Sequence, residues 1–238
     1  MAGALLEVDG LTKRFGGFMA LNRVTIHVNP GERFGLIGPN GSGKTTLINC
    51  VSGSLPADGG RIVFEGHDIT SMPAHRRTRL GIVRSFQIPK PFRSMTVLEN
   101  LGIPLENAAH GRAAEGAGAM EILGTIGLAS KAHLRPAGLT QIEMRKLELA
   151  RAMAARPKLL ISDEAMAGLS SAEVDDILTI LFRLSAQGIT IIMIEHIMRA
   201  VMRFSERIVV LDAGERIAEG TPDEIGRNPA VEKAYLGE

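Results

Sequence analysis

The 238-residue sequence predicts an α/β fold: a mainly parallel sheet with helices on both faces, joined by a small antiparallel sheet and a short helical region. Three observations carry this prediction. The apolar residues 34–37 lead into Gly38-Pro39-Asn40-Gly41-Ser42-Gly43-Lys44-Thr45-Thr46 and then into the apolar residues 47–51, the order strand, tight turn, helix. From residue 142 onward, short β-branched runs alternate with helical periodicity, the pattern of a parallel sheet crossed by helices. Between residues 96 and 134 the β-branched runs give way to alanine, glycine and leucine, which sets a few short helices apart from the sheet.

Taken in order, residues 5–11 and 21–28 read as strands, with Val24, Ile26 and Val28 alternating as a half-buried strand requires. Gly16-Gly17 turns between them, and Asn29-Pro30-Gly31 turns again before the strand at 33–37. Asp58-Gly59-Gly60 then turns into a strand at 61–64, so an antiparallel sheet is expected beside the core. Short helices are expected over residues 107–128, and a longer one over 142–155 with Leu147, Ala150 and Ala154 on one face. Residues 158–162 form a strand. Ser170 with Glu173 is a capping box opening a helix to about Ala186, closed by Gly188. The apolar run 189–194 is a strand buried on both faces. A hairpin through Ala213-Gly214 and a helix opened by Thr221-Pro222-Asp223-Glu224 complete the chain. The expected division is one nucleotide-binding core with its antiparallel sheet, residues 1–86 and 141–238, and a helical subdomain over 87–140.

Charge and composition narrow the function. The net charge of +1, from 27 basic and 26 acidic residues, leaves no basic stripe for nucleic acid. The single cysteine, Cys50, cannot form an internal disulfide and fits a reducing compartment as a small buried hydrophobe. Residues 1–11 lack the basic start of a signal peptide, and no apolar run approaches the ~20 residues that span a bilayer. The expectation is a soluble protein whose link to any membrane comes through a partner.

The loop at 38–46 is suited to a triphosphate. Its spacing is Gly-x-x-x-x-Gly-Lys-Thr, in which the glycines let successive backbone N–H groups turn toward phosphate oxygens. The helix that follows adds its N-terminal amides and dipole. Lys44 would reach the β- and γ-phosphates, and the Thr45 hydroxyl would ligate Mg²⁺. Downstream, an apolar strand ends in Asp163-Glu164, at the strand end where open α/β sheets bind ligands. Alone, such a pair is a helix cap or a solvated turn. With a phosphate loop upstream, Asp163 becomes a metal ligand and Glu164 the base that orients a water against the γ-phosphate. His196 follows the buried strand 189–194 and falls on the same rim, either as a phosphate sensor or as a cap of the next helix. Gln87, after a strand at 82–86, carries an amide able to join a metal–water network, although a single glutamine in a loop ordinarily has no such role. The other five histidines receive no role.

These elements in this order resemble the nucleotide-binding subunit of an ATP-binding cassette (ABC) transporter, across essentially the whole chain. The resemblance implies a P-loop NTPase (RecA-like) core, ATP and Mg²⁺ as ligands, and ATP hydrolysis. The phosphate loop, a glutamine loop at Gln87, the carboxylate strand ending at Glu164 and a switch His196 correspond, and Ala167-Gly168-Leu169-Ser170 resembles the loop that touches the opposite subunit. The stretch Arg84-Ser85-Phe86-Gln87 with residues 91–101, and Glu195-His196 with its neighbours, is similar to the branched-chain amino acid importer ATPases. Phe15 occupies the position of the ring that stacks on adenine, with packing into the small sheet as the alternative. The resemblance further implies a dimer in which each ATP lies between one loop and the other subunit's signature. It also implies two membrane permease subunits, a periplasmic solute-binding protein, and a place on the inner face of the plasma membrane. Two rival functions are a nucleotide-binding scaffold with little hydrolysis and a soluble, non-transport ATPase of the same superfamily.

The chain departs from the family at the signature, where Leu-Ser-Gly-Gly-Gln is replaced by Leu139-Thr140-Gln141-Ile142-Glu143. Both glycines are gone, and a side chain forced into positive φ there would cost about 1–2 kcal/mol. Glu143 is expected to place an unhelpful negative charge near the partner's triphosphate unless neutralised. A heterodimer with a second ATPase carrying an intact signature is therefore the expected assembly, with a homodimer as the alternative.

Overall fold

The computed structural model describes residues 3–85, 90–108 and 118–236. Strands β1 (Leu6–Phe15) and β2 (Phe18–Val28) pair antiparallel around Gly16-Gly17. β3 (Arg33–Ile37) runs through the loop into α1 (Lys44–Ser52), followed by β4 (Gly59–Phe64), β5 (His67–Asp68), α2 (Ala74–Leu80) and β6 (Ile82–Ser85). Then come α3 (Glu99–Ala108), α4 (Ala119–Ile126) and α5 (Gln141–Ala154). β7 (Leu159–Asp163), α6 (Ser171–Ala186), β8 (Thr190–Ile194) and α7 (Met198–Phe204) restore the alternation. The hairpin β9 (Arg207–Asp212) and β10 (Glu215–Gly220) leads to α8 (Pro222–Gly226) and α9 (Pro229–Leu236).

Two sheets result, one ordered β2-β1-β4-β5 and antiparallel, the other ordered β10-β9-β3-β8-β7-β6. In the second, β9, β3, β8, β7 and β6 run parallel, and β10 alone pairs antiparallel. Alternation along these strands feeds two cores. Ile37, Leu160, Ile191, Met193 and Val210 point to the core shared with α5, α6 and α7, whereas Phe34, Leu36, Ile161, Ile192 and Leu211 join the one shared with α1 and the antiparallel sheet. A parallel sheet covered on both faces needs such uninterrupted apolar strands.

α3 begins at Glu99, well before the expected 107, and the cause is local. Glu99 N–H donates to Thr96 Oγ1 at 3.2 Å, and Thr96 N–H donates to Glu99 Oε2 at 2.7 Å, a reciprocal cap that starts a helix. Cys50 is buried as expected, and burial pushes its thiol up to about 11.

Candidate functional site

The sheet order places β8 between β3 and β7, so the residues following these strands share one rim. The phosphate loop leaves β3 through Gly38, whose φ is +150°. A Cβ there would lie 2.1 Å from the Leu211 carbonyl oxygen and 2.6 Å from Ser42 Oγ, so only glycine fits. Gly43, at φ +105°, caps α1 without a side chain, and a Cβ would meet the Ala20 carbonyl oxygen at 2.7 Å. The helix therefore starts bare at its positive end, the feature that favours an anion. Lys44 is buried and folds back over the loop, donating to the Gly38 carbonyl at 2.7 Å and the Pro39 carbonyl at 2.9 Å. Burial pulls its pKa down, and the charges of Glu164 and Asp163 oppose that pull. Thr45 stands exposed at the first turn of α1, beside Thr46.

Asp163 ends β7 opposite Ile194 of β8, and Glu164 follows it at a left-handed φ of +48°. Its N–H donates to the Ile194 carbonyl at 2.8 Å, which holds this uncommon conformation in place. Glu164 Oε1 lies 3.1 Å from His196 Nε2. Glu164 and His196, 32 residues apart in sequence, are thus brought into contact.

The signature stretch behaves differently from the expectation. Gln141 and Ile142 are the first residues of α5 and take ordinary helical backbone, so no positive φ is demanded where the glycines are missing. The charge on Glu143 is neutralised within its own chain, the condition set for it above. Its carboxylate accepts the Thr140 N–H at 2.9 Å, Thr140 Oγ1 accepts the Glu143 N–H, and Lys131 Nζ lies 2.6 Å from Glu143 Oε1. The Lys131 contact, with the Thr140 N–H, holds that carboxyl below the usual range. Glu143 is a neutralised helix cap. Leu139 precedes this cap, partly buried against the core.

Phe15 ends β1 half exposed, with Lys13 Nζ 5.7 Å from the ring centroid, so it is not packed into the small sheet. Gln87 lies outside the described residues.

Three residues join the site that sequence reading gave no part in it. Arg84, on β6, donates to Asp163 Oδ2 from Nε at 3.1 Å and from Nη2 at 2.5 Å, while its Nη1 donates to Asn49 Oδ1 of α1 at 2.6 Å. This buried pair ties the helix after the loop to the carboxylate strand. Glu195, 2% exposed, accepts the Met166 N–H at 2.9 Å. Arg145 of α5 donates to the Ala167 carbonyl at 3.3 Å, and Gln141 to the Gly168 carbonyl at 3.4 Å, linking the signature helix to the loop after Glu164. The only local hint of any of these is a charged residue interrupting an apolar strand, as Arg84 does.

The donor set suits a nucleotide with magnesium. Thr45 and Asp163 supply hard oxygen donors, and both Arg84 bonds go to Oδ2 of the carboxylate. Among the described residues no three His, Cys, Asp or Glu side chains group to hold a metal. A cation here would complete its shell with phosphate oxygens and water, as magnesium characteristically does.

Comparison with known proteins gives the family. Residues 21–167 match the family described as ABC transporter, and residues 215–238 match the family described as branched-chain amino acid ATP-binding cassette transporter. The chain is 39% identical to the high-affinity branched-chain amino acid transport ATP-binding protein BraF of Pseudomonas aeruginosa, with 100% of both chains covered. It is 41% identical to a probable branched-chain amino acid transport ATP-binding protein, LivG, of Archaeoglobus fulgidus, covering 98% of this chain and 95% of that one. The crystal structure of a nucleotide-free ATP-binding cassette from an ABC transporter superposes with a TM-score of 0.87 at 35% identity, covering 99% of this chain and 100% of the other. The glycine-rich loop, the paired carboxylates and His196 on one sheet rim, in a chain matched from end to end, make this protein a member of the ABC transporter ATP-binding family, and an ATPase.

Proposed function

We propose that this chain drives an importer for branched-chain amino acids or a related small polar solute, as one of two cassettes held to a membrane permease on the cytoplasmic side. The relatives' names and the match of residues 215–238 support the solute class. The contact of Glu164 with His196 at 3.1 Å, beside the buried Lys44, is the observation that carries hydrolysis.

In this reading Lys44 exchanges the Gly38 and Pro39 carbonyls for β- and γ-phosphate oxygens, and the amides from Gly41 to Thr46 cradle the rest. Thr45 and Asp163 would hold Mg²⁺, with Gln87 joining its water network; the ion supplies charge neutralisation on the phosphates. Glu164 accepts a proton from the attacking water, and His196 contacts the γ-phosphate from the same rim. Phe15, half exposed, offers its ring to adenine. Residues 139–143 complete the partner's site through the N-terminus of α5. Since that stretch lacks the glycines that let a backbone approach phosphate closely, we assign the partner as a second ATPase with an intact signature. A periplasmic solute-binding protein would deliver the cargo.

Residues 1–86 and 141–238 would form the core and its antiparallel sheet, and 87–140 the helical subdomain. Between α2 and β6 on one side and α3 and α5 on the other runs a groove of about 740 Å³, lined by Phe92, Ile103 and Pro104 and by Arg79, Arg151 and Arg156. We assign the permease to this groove. ATP turnover of the chain alone, and mixed with its sister ATPase, tests the assembly. Robust activity alone, abolished by Glu164→Gln, would contradict an essential second subunit.

A further inference from the structure

The C-terminal helix reaches back to the first residue of the phosphate loop. α9 packs against β10, with Val231 buried in the core. One turn further, Tyr235 Oη accepts the Gly38 backbone N–H at 2.9 Å, a bond spanning 197 residues. Gly38 is buried where the strand becomes the loop, wedged against the Leu211 carbonyl and Ser42. On the other side of this residue, the Gly38 carbonyl accepts Lys44 Nζ at 2.7 Å. Tyr235 and Lys44 thus hold the two sides of Gly38, and the Tyr235 bond is the one that stays on it when Lys44 turns to the triphosphate.

The choice of a phenol fits the location. Tyr235 is 42% exposed as a residue, but its hydroxyl is partly desolvated against Gly38, which pushes it up from its ordinary value with the Gly38 bond opposing, so it stays neutral at physiological pH. A neutral oxygen satisfies the amide without adding negative charge where phosphates gather; a carboxylate there would repel them. The amide cannot go unpaired, because a buried N–H without a partner is costly.

We propose that Tyr235 is a positioning residue for nucleotide binding: its hydroxyl fixes Gly38 at the base of the loop, so the C-terminal helix sets the loop's affinity for nucleotide. This gives the segment 215–238 a role in the ATP site of its own subunit. The inference rests on the loop being the phosphate site, and the test separates the two claims.

Titration of the full chain with a fluorescent ATP analogue and Mg²⁺, alongside thermal unfolding, decides it. Tyr235→Phe removes only the hydroxyl, and is expected to weaken binding about three-fold, with about ten-fold as the ceiling set by one neutral hydrogen bond, because the bond is already formed without nucleotide. Val231→Ala loosens the same helix without touching that bond. It should lower the melting temperature at least as much, yet leave affinity within about two-fold of wild type. Wild-type affinity in Tyr235→Phe overturns the proposal. So does an equal loss in Val231→Ala, which would make the effect one of helix docking alone. If Lys44→Ala loses binding while Tyr235→Phe does not, the phosphate loop stands and only the role of Tyr235 falls.

Discussion

Replacing Glu195 by glutamine should change how the stability of this protein depends on pH. Glu195 follows β8 directly, is 2% exposed, and accepts the Met166 N–H at 2.9 Å. Burial pushes its carboxyl from 4.5 up to about 7; the neighbouring charges of Glu164 and Asp163 push the same way, while the Met166 bond and Arg145 oppose. An acid raised in this way binds its proton more tightly in the folded than in the unfolded state. Its stabilising contribution is fully present below pH 4.5 and is lost as pH rises through about 7. At about 1.4 kcal/mol per pH unit, that interval sets a ceiling of about 3 kcal/mol. Glutamine keeps an acceptor for the Met166 N–H and cannot ionise. Urea unfolding of both proteins at pH 5, 6, 7 and 8 reads the effect. The stability of Glu195→Gln relative to wild type should climb across this range by up to about 3 kcal/mol and level off above pH 7. A difference that is flat with pH, or that falls, would refute the reasoning.

Two further outcomes follow from the geometry. Arg77, 2% exposed, donates to the carbonyls of Cys50 and Val51 at the end of α1 and to those of Thr70 and Met72. A lysine cannot reach all four, so Arg77→Lys should cost about 2–4 kcal/mol in denaturant unfolding; a loss under about 0.5 kcal/mol would contradict that role. Glu164→Gln should lower kcat for ATP, measured with the sister subunit present, about 10²–10⁴-fold with nucleotide affinity changed only a few-fold; retention of half the wild-type rate would remove Glu164 as the base.

Much of the site was legible because its signals are local. The phosphate loop spans nine consecutive residues, 38–46, and Asp163-Glu164 ends a contiguous apolar strand. Sheet order then did what spacing could not, setting β8 and its His196 between the loop strand and the carboxylate strand. The cap at Glu143 has a local signal as well. Thr140-x-x-Glu143 has the same capping pattern as Ser170-x-x-Glu173 and Thr221-x-x-Glu224, and all three form the reciprocal bonds. Arg84 with Asp163, and Tyr235 with Gly38, join residues 79 and 197 positions apart; nothing in a single sequence marks such pairs, since they depend on how the strands and the last helix are laid down.

The most direct measurement is the affinity of Lys44→Ala for ATP and Mg²⁺. Lys44 is the buried cation at the centre of the loop, already gathered onto the Gly38 and Pro39 carbonyls, and its charged bonds to phosphate should be worth about 2–3 kcal/mol. Binding should therefore weaken about 30- to 150-fold while the fold, read by circular dichroism, is retained. An alanine variant that binds ATP within two-fold of wild type would contradict the assignment of residues 38–46 as the triphosphate site.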